Sequence, residues 1–284
     1  MQQDISIQCT DGYVLAATSF HPSSPLKGAI MIGPATGIKR RFYGRFAQHL
    51  CEQGYGVITY DNRGIGDSID SHPKHSDADL VAWGQLDMPA VLDQLQNTFP
   101  GVNQHLVGHS AGGQLIGLMH NAQDLTSIFN YASSSGWLKN FKSKDKLRAH
   151  FFMNVFIPIS NWLFGHTKSH WVGMGEPLPP GVARQWQAWC NHGGYVRAAF
   201  GKTVHEHLYD KLNMPSLWLN SSDDFIAVDK NVSDMLSVYS QLPAQRIHLI
   251  PNDHDIKFIG HMNFFRSQSK KLWSYAVEWF DQHA

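Results

Sequence analysis

The sequence predicts a mostly parallel α/β sheet, covered by helices on both faces and interrupted by one inserted helical segment. Three observations lead there. Short apolar runs at 27–33, 56–60, 104–107, 127–131 and 215–220 alternate with stretches whose apolar residues recur at helical spacing. The alternation fails once, between about 135 and 207, in a stretch that holds five of the nine tryptophans. The run at 104–107 passes through a glycine-rich turn, residues 108–113, straight into a new helical pattern.

Taken in order, residues 4–20 read as an antiparallel hairpin that turns at Asp11-Gly12. Strand 27–33 leads through the loop Pro34-Ala35-Thr36-Gly37 into a helix over 41–53, with Phe42, Phe46, Leu50 and Cys51 on one side and Gly54 as its stop. Strand 56–60 runs into the polar turn 61–68 (DNRGIGDS), and 81–99 is helical, with Leu86, Ala90, Leu92 and Leu95 inward. After strand 104–107, Leu115, Ile116, Leu118 and Met119 predict a helix, and 127–131 a further strand. A structureless loop as long as 135–207 is rare in a compact domain. Its aromatic content points instead to a small helical cap. The expected organisation is therefore a core over 1–134, a cap insertion over 135–207 and a returning core over 208–284. That last part supplies strand 215–220, helix 230–241, strand 246–250, a loop to His261 and a final helix over 263–283, with Phe264, Leu272, Tyr275, Ala276 and Trp279 inward.

Composition sets the bounds. Formal net charge is zero, so the molecule as a whole has no electrostatic attraction for nucleic acid or an anionic membrane, and only local patches could provide one. Three cysteines, odd in number and widely spaced, fit reduced thiols in a cytoplasmic protein better than a disulfide framework. The first residues carry no basic, apolar leader pattern. The longest apolar candidate, 151–164, is interrupted by Asn154, Pro158, Ser160 and Asn161, so no transmembrane segment is expected.

Chemistry concentrates in the turn Gly108-His109-Ser110-Ala111-Gly112-Gly113. Between a strand and a helix, a turn that sharp leaves no room for side chains two residues before or after its centre, and glycines stand at both places. A serine capping a helix would satisfy the pattern without chemistry. With an apolar strand before it and an amphipathic stretch after it, the G-x-S-x-G element resembles the nucleophile elbow of the α/β-hydrolase superfamily, which implies that fold and a catalytic Ser110.

The resemblance also implies an order, Ser then Asp/Glu then His, because a serine hydroxyl needs a base and the base needs an orienting anion. After strand 215–220 the stretch Asp223-Asp224-Phe225-Ile226-Ala227 is similar to the family's Asp-x-Ile/Leu-Val/Ala pattern at Asp224, with Asp223 as runner-up. Either carboxylate could instead cap the following helix. After the last strand, Gly260-His261 is similar to the family's Gly-His pattern, so His261 is the expected base and His254 its runner-up. The oxyanion would be held by the backbone N–H groups of Ala111 and Thr36, with Ala35 second to Thr36. Pro34 has no N–H, and the family's usual His-Gly is missing there. Asp61-x-Arg63-Gly64-x-Gly66-x-Ser68 resembles a family motif and reads as a structural tie between loops. His205-Glu206-His207 and His166/His170 lack the spacing and partners of a metal site, and no glycine-rich nucleotide loop follows a strand. No metal and no cofactor are expected.

Near these sites the chain resembles the monoacylglycerol-lipase and serine-aminopeptidase-like branch. It is also similar to a group of uncharacterised bacterial hydrolases sharing PATG, GHSAGG, IGH-x-x-FF and LPPGVARQWQAWC. The resemblance implies a serine hydrolase acting on a carboxylic ester. A peptidase or amidase, a thioesterase or an acyltransferase would share the triad, and a non-catalytic binding module would share only the fold. The expected partner is a small acyl substrate, with cap tryptophans lining an apolar acyl pocket. Two basic stretches, Lys39-Arg40-Arg41 with Arg45, and Lys139 to Arg148 in the cap, suggest an anionic group on that substrate, met at the mouth by Arg40 and Arg41.

Overall fold

The computed structural model describes residues 1–284, the side chain of Ser143 excepted. Eight strands form one sheet: β1 (Gln2–Gln8), β2 (Val14–Phe20), β3 (Gly28–Gly33), β4 (Tyr55–Tyr60), β5 (Gln104–His109), β6 (Ser127–Tyr131), β7 (Ser216–Ser221) and β8 (Ala244–Leu249). Their order is β1-β2-β4-β3-β5-β6-β7-β8. The β1–β2 and β2–β4 pairs are antiparallel, and β3 to β8 are parallel. β3 to β7 are buried at every position, which is why they read as unbroken apolar runs rather than alternating ones. The edge strands β1 and β8 keep exposed positions.

Helices α1 (Gly44–Glu52) and α2 (Met88–Thr98) belong to the first part of the chain. Between β6 and β7 the chain inserts α3 (Ser143–Phe151), a π turn (Phe152–Phe156), α4 (Ile157–Phe164) and α5 (Pro180–Cys190). Helices α6 (Asp229–Leu236) and α7 (Ser274–Asp281) complete the fold. The insertion is tied to the sheet domain at named points. Gln185 Oε1 accepts the N–H groups of Leu80 (2.7 Å) and Val81 (3.1 Å), and Glu176 N–H donates to Gly37 O in the loop after β3 (2.8 Å).

Three helices are shorter than the sequence predicts, and one of them, α6, ends at Leu236 rather than at 241. After the glycine turn there is only a four-residue helical turn, Ala111–Gln114, followed by a 3₁₀ turn, Ile116–Leu118. The carbonyls that would continue the helix are taken by side chains from far along the chain. Tyr239 Oη donates to Gly113 O (2.8 Å) and Tyr209 Oη to Gln114 O (2.6 Å). The Tyr209 ring also lies so close to Gly117 that a Cβ there would sit 2.4 Å from it. In the C-terminal stretch, 3₁₀ turns occupy Asn263–Phe265 and Ser267–Trp273 before α7 begins. Phe264 and Phe265 are drawn into the core there, and Trp273 Nε1 donates to Phe264 O (2.8 Å).

The cap tryptophans divide among buried (Trp189), half-buried (Trp137, Trp186) and exposed (Trp162, Trp171) positions, so two of the five line no enclosed pocket. Trp189 is buried against Tyr195, and Trp186 packs on Phe152. Trp162 and Trp171 lie on the outer surface. Among the described residues no helix is long and apolar enough to cross a membrane.

Candidate active site

The parallel strands bring the loops after β3, β5, β7 and β8 to one edge of the sheet, where open α/β sheets bind ligands. β5 lies between β3 and β6, so Ser110, immediately after it, stands at the centre of that edge. Ser110 has φ 49° and ψ −108°, a region a residue with a Cβ avoids, at a cost of about 1–3 kcal/mol. The surroundings over-determine it. Ser110 N–H donates to Tyr131 O (3.1 Å), and Ser110 O accepts from Gly113 and Gln114 N–H (3.0 Å each).

The glycines make this approach possible. A Cβ on Gly112 would lie 2.0 Å from Gly33 O, so the turn and the end of β3 meet backbone to backbone. A Cβ on Gly108 would lie 2.1 Å from Asn130 Oδ1, and one on Gly113 2.1 Å from Ser133 Oγ.

The structure brings Ser110, His261 and Asp224 together. Ser110 Oγ lies 3.1 Å from His261 Nε2, and His261 Nδ1 lies 2.7 Å from Asp224 Oδ2. The ionised carboxylate only accepts, so Nδ1 carries the ring proton and Nε2 is free to accept from the serine. Asp224 is fully buried, and its other oxygen accepts the N–H groups of Ile226 (2.8 Å) and Ala227 (3.0 Å).

Asp223 points elsewhere. Its Oδ1 accepts from Gly260 N–H (2.8 Å) and its Oδ2 from Ile259 N–H (2.9 Å), so it grips the two residues before His261. Neither carboxylate makes a side-chain cap for α6. His254, the runner-up base, ends a 3₁₀ turn, with its ring 6.0 Å from that of Tyr275.

Ala111 N–H and Thr36 N–H have no acceptor among the described residues. Ala35 N–H is already engaged, donating to Tyr43 Oη (2.9 Å), whereas the N–H groups of Thr36 and Gly37 in that loop are free among the described residues. The helical turn behind Ala111 is too short to add much dipole, so the local N–H groups themselves would have to hold an oxyanion.

Sequence reasoning missed a second layer beneath the serine. His109 is buried, and its Nε2 faces His261 O (2.8 Å), so that nitrogen carries the proton. Its Nδ1 then accepts from Tyr43 Oη (2.8 Å). One directed chain runs from Ala35 N–H through Tyr43 and His109 to the backbone of His261, joining the loop after β3 to the base. Burial, with a smaller contribution from His261, pushes the His109 imidazole down to about 3, so it is neutral at physiological pH. Tyr131 Oη donates to Gly260 O (2.8 Å), and the Tyr131 ring stacks on Phe264 at 4.2 Å. The only sequence signal for this layer is the His109 next to the serine and the aromatic pair after His261.

The expectation that Arg40 faces an entering substrate is overturned. Arg40 is 4% exposed. Its guanidinium bonds Asp61 Oδ2, Asp67 Oδ2 (2.8 Å) and Thr18 Oγ1 (3.1 Å), because Asp61 is fully buried and needs a cation. Arg41 is exposed but shares Asp67 (3.0 Å). Asp61 and Arg63 do tie loops, though not to each other: Arg63 pairs with Asp87 and Asp11 (2.6 Å each). Among the described residues no group of three or more His, Cys, Asp or Glu is arranged to hold a metal ion.

The sheet order, the elbow after its central strand and the loops around it define the class: this is an α/β-hydrolase. The family model described as serine aminopeptidase, S33 matches residues 24–171, half of the chain, and the protein belongs to that family. Its fold is shared with a soluble variant of monoglyceride lipase from Saccharomyces cerevisiae, solved with a substrate analog (TM-score 0.68, 13% identity, covering 99% of this chain and 96% of that one). It is shared too with an esterase from Exiguobacterium antarcticum (TM-score 0.62, 15% identity, 98% and 99% covered). A thermophilic esterase from Thermogutta terrifontis is also similar (TM-score 0.58, 18% identity, 99% and 100% covered). At these identities the likeness speaks for the fold alone. No curated protein sequence matches the chain significantly.

Proposed function

We propose that this hydrolase cleaves carboxylic esters through an acyl-enzyme on Ser110. The observation that carries the proposal is the unbroken sequence of contacts from Ser110 Oγ to His261 Nε2 and from His261 Nδ1 to Asp224. In this reading Ser110 attacks the carbonyl carbon while its proton passes to His261. The resulting oxyanion takes hydrogen bonds from Ala111 and Thr36 N–H. The imidazolium, steadied by Asp224, protonates the leaving alcohol, and the ester bond breaks. Water then gives its proton to His261 and attacks the acyl-enzyme, freeing the acid and Ser110.

Residues 135–207 act as a cap over this edge, with Glu176 resting on the loop that carries Thr36. We assign the activity to the cytoplasm, a reading supported by Cys9, Cys51 and Cys190, which are free and buried. The second reading, a peptidase, is favoured by the name of the matching family. A panel of chromogenic esters and aminoacyl amides separates the two. Ester turnover well above amide turnover is expected, and amide turnover without ester turnover would refute the ester reading.

A further inference from the structure

The cap carries an apolar face that nothing in the molecule covers. Along α3, the π turn and α4, Leu147, Phe151, Val155, Ile159, Trp162 and Leu163 are all exposed, Leu147 to 74% and Trp162 to 82%. Most follow a spacing of four residues. On a regular α-helix such a row drifts by roughly 40° per step and would wind half-way round the helix over this length. The π turn at Phe152–Phe156 inserts one extra residue and sets the row back by roughly 100°, so the exposed side chains stay on one face. That face is about 25 Å long at 1.5 Å per residue. Isolated exposed apolar residues are ordinary, but an aligned and continuous set marks an interaction surface.

The charge around this face indicates what would cover it. From 146 to 175 the sequence has no Asp or Glu, while it has Lys146, Arg148 and Lys168, and Lys139, Lys142 and Lys144 precede it with only Asp145 among them. None of these cations has an ion-pair partner among the described residues. At the far end, Lys168 Nζ sits 4.2 Å over the Phe164 ring and 4.6 Å over that of exposed Trp171. An apolar row edged by tryptophan and lysine, with Asp145 the single acid along 139–175, matches the boundary between acyl chains and anionic headgroups. A second copy of the chain fits poorly: along 139–175 each face carries six cations and the single acid Asp145, so two faces packed together would leave most of that charge unneutralised.

We infer that this cap face is a docking surface for an anionic lipid bilayer, lying in the interface plane without crossing it. The apolar row enters the headgroup region, and the flanking lysines and Arg148 hold the phosphates. The inference rests on the cap surface alone and stands apart from the ester chemistry proposed for Ser110.

The test is flotation of the full-length protein with vesicles of phosphatidylcholine alone and of phosphatidylcholine mixed with phosphatidylglycerol, at low and high salt. Binding is expected on the anionic vesicles and should weaken with salt. An Ile159→Glu/Trp162→Ser variant and a Lys144→Glu/Arg148→Glu variant should each partition at least about tenfold more weakly. Both variants should keep wild-type turnover of a water-soluble ester, or wild-type thermal melting if no ester is turned over, which shows that they fold. The inference is overturned if wild type floats with neither vesicle, or if the folded variants float as wild type does. It is equally overturned if light scattering gives a dimer that the Ile159→Glu/Trp162→Ser variant converts to monomer, since a second copy would then own the face.

Discussion

Two adjacent carboxylates, one aimed at the imidazole and one at the backbone that carries it, should separate cleanly on mutation. Asp224→Asn keeps an oxygen for the Ile226 and Ala227 N–H groups and turns an amide toward His261 Nδ1, which forces the wrong tautomer. Catalysis should fall by about 10³–10⁴-fold, with little change in stability. Asp223→Asn keeps one acceptor but sets an NH₂ against either the Gly260 or the Ile259 N–H. Charge-assisted bonds contribute about 1.5–3 kcal/mol each and the one neutral bond that remains about 1, so the loop loses about 2–5 kcal/mol of anchoring. Tyr131 and His109 still hold the Gly260 and His261 carbonyls, so most molecules keep the base in place. Activity should therefore fall only about 5- to 50-fold, and thermal stability should fall visibly. The assay is kcat/KM on a chromogenic ester beside a thermal melt for each variant. If Asp223→Asn loses more activity than Asp224→Asn while remaining folded, the assignment of roles is wrong.

Other perturbations follow from single contacts. Gly112→Ala would press a methyl group into Gly33 O and should destabilise the fold by at least about 2–3 kcal/mol or leave it insoluble, measured by urea denaturation. Arg40→Ala leaves the buried Asp61 without its main cation and should cost about 3–5 kcal/mol of stability, with no selective loss for anionic esters in a kinetic comparison. His109 is neutral when folded and titrates near 6.5 when unfolded, so its contribution is complete above that pH and is lost as the pH falls toward 3. The unfolding free energy of wild type should drop between pH 6 and 4, with about 2.5 kcal/mol of the loss due to His109, and His109→Gln should flatten that slope.

The sheet was legible because strands buried on both faces must be apolar at every position, and those at 28–33, 55–60 and 127–131 are nearly so. The elbow was legible because its glycines answer a steric demand that any strand-to-helix turn of this sharpness makes. What stayed hidden depends on partners remote in sequence. Tyr209 and Tyr239 lie about a hundred residues beyond the elbow whose helix they cut short, and periodicity around Leu115 carries no trace of them. Tyr43 and His109 lie 66 residues apart, and neither residue type announces the pairing. Arg40 looked like a surface cation because local charge counting cannot see Asp61, 21 residues on, buried beneath it. The π turn that aligns the cap face is an offset in backbone register, visible only once the exposed side chains are seen to share one side.

The central claim is that Ser110 is an activated nucleophile, and covalent labelling tests it most directly. A fluorophosphonate probe reacted with the folded protein and mapped by mass spectrometry should give a single adduct on Ser110. The adduct should be absent from Ser110→Ala, whose fold by circular dichroism is unchanged, and should form far more slowly in Asp224→Asn. Folded wild-type protein that takes up no probe, or an adduct that persists in Ser110→Ala, would contradict the account.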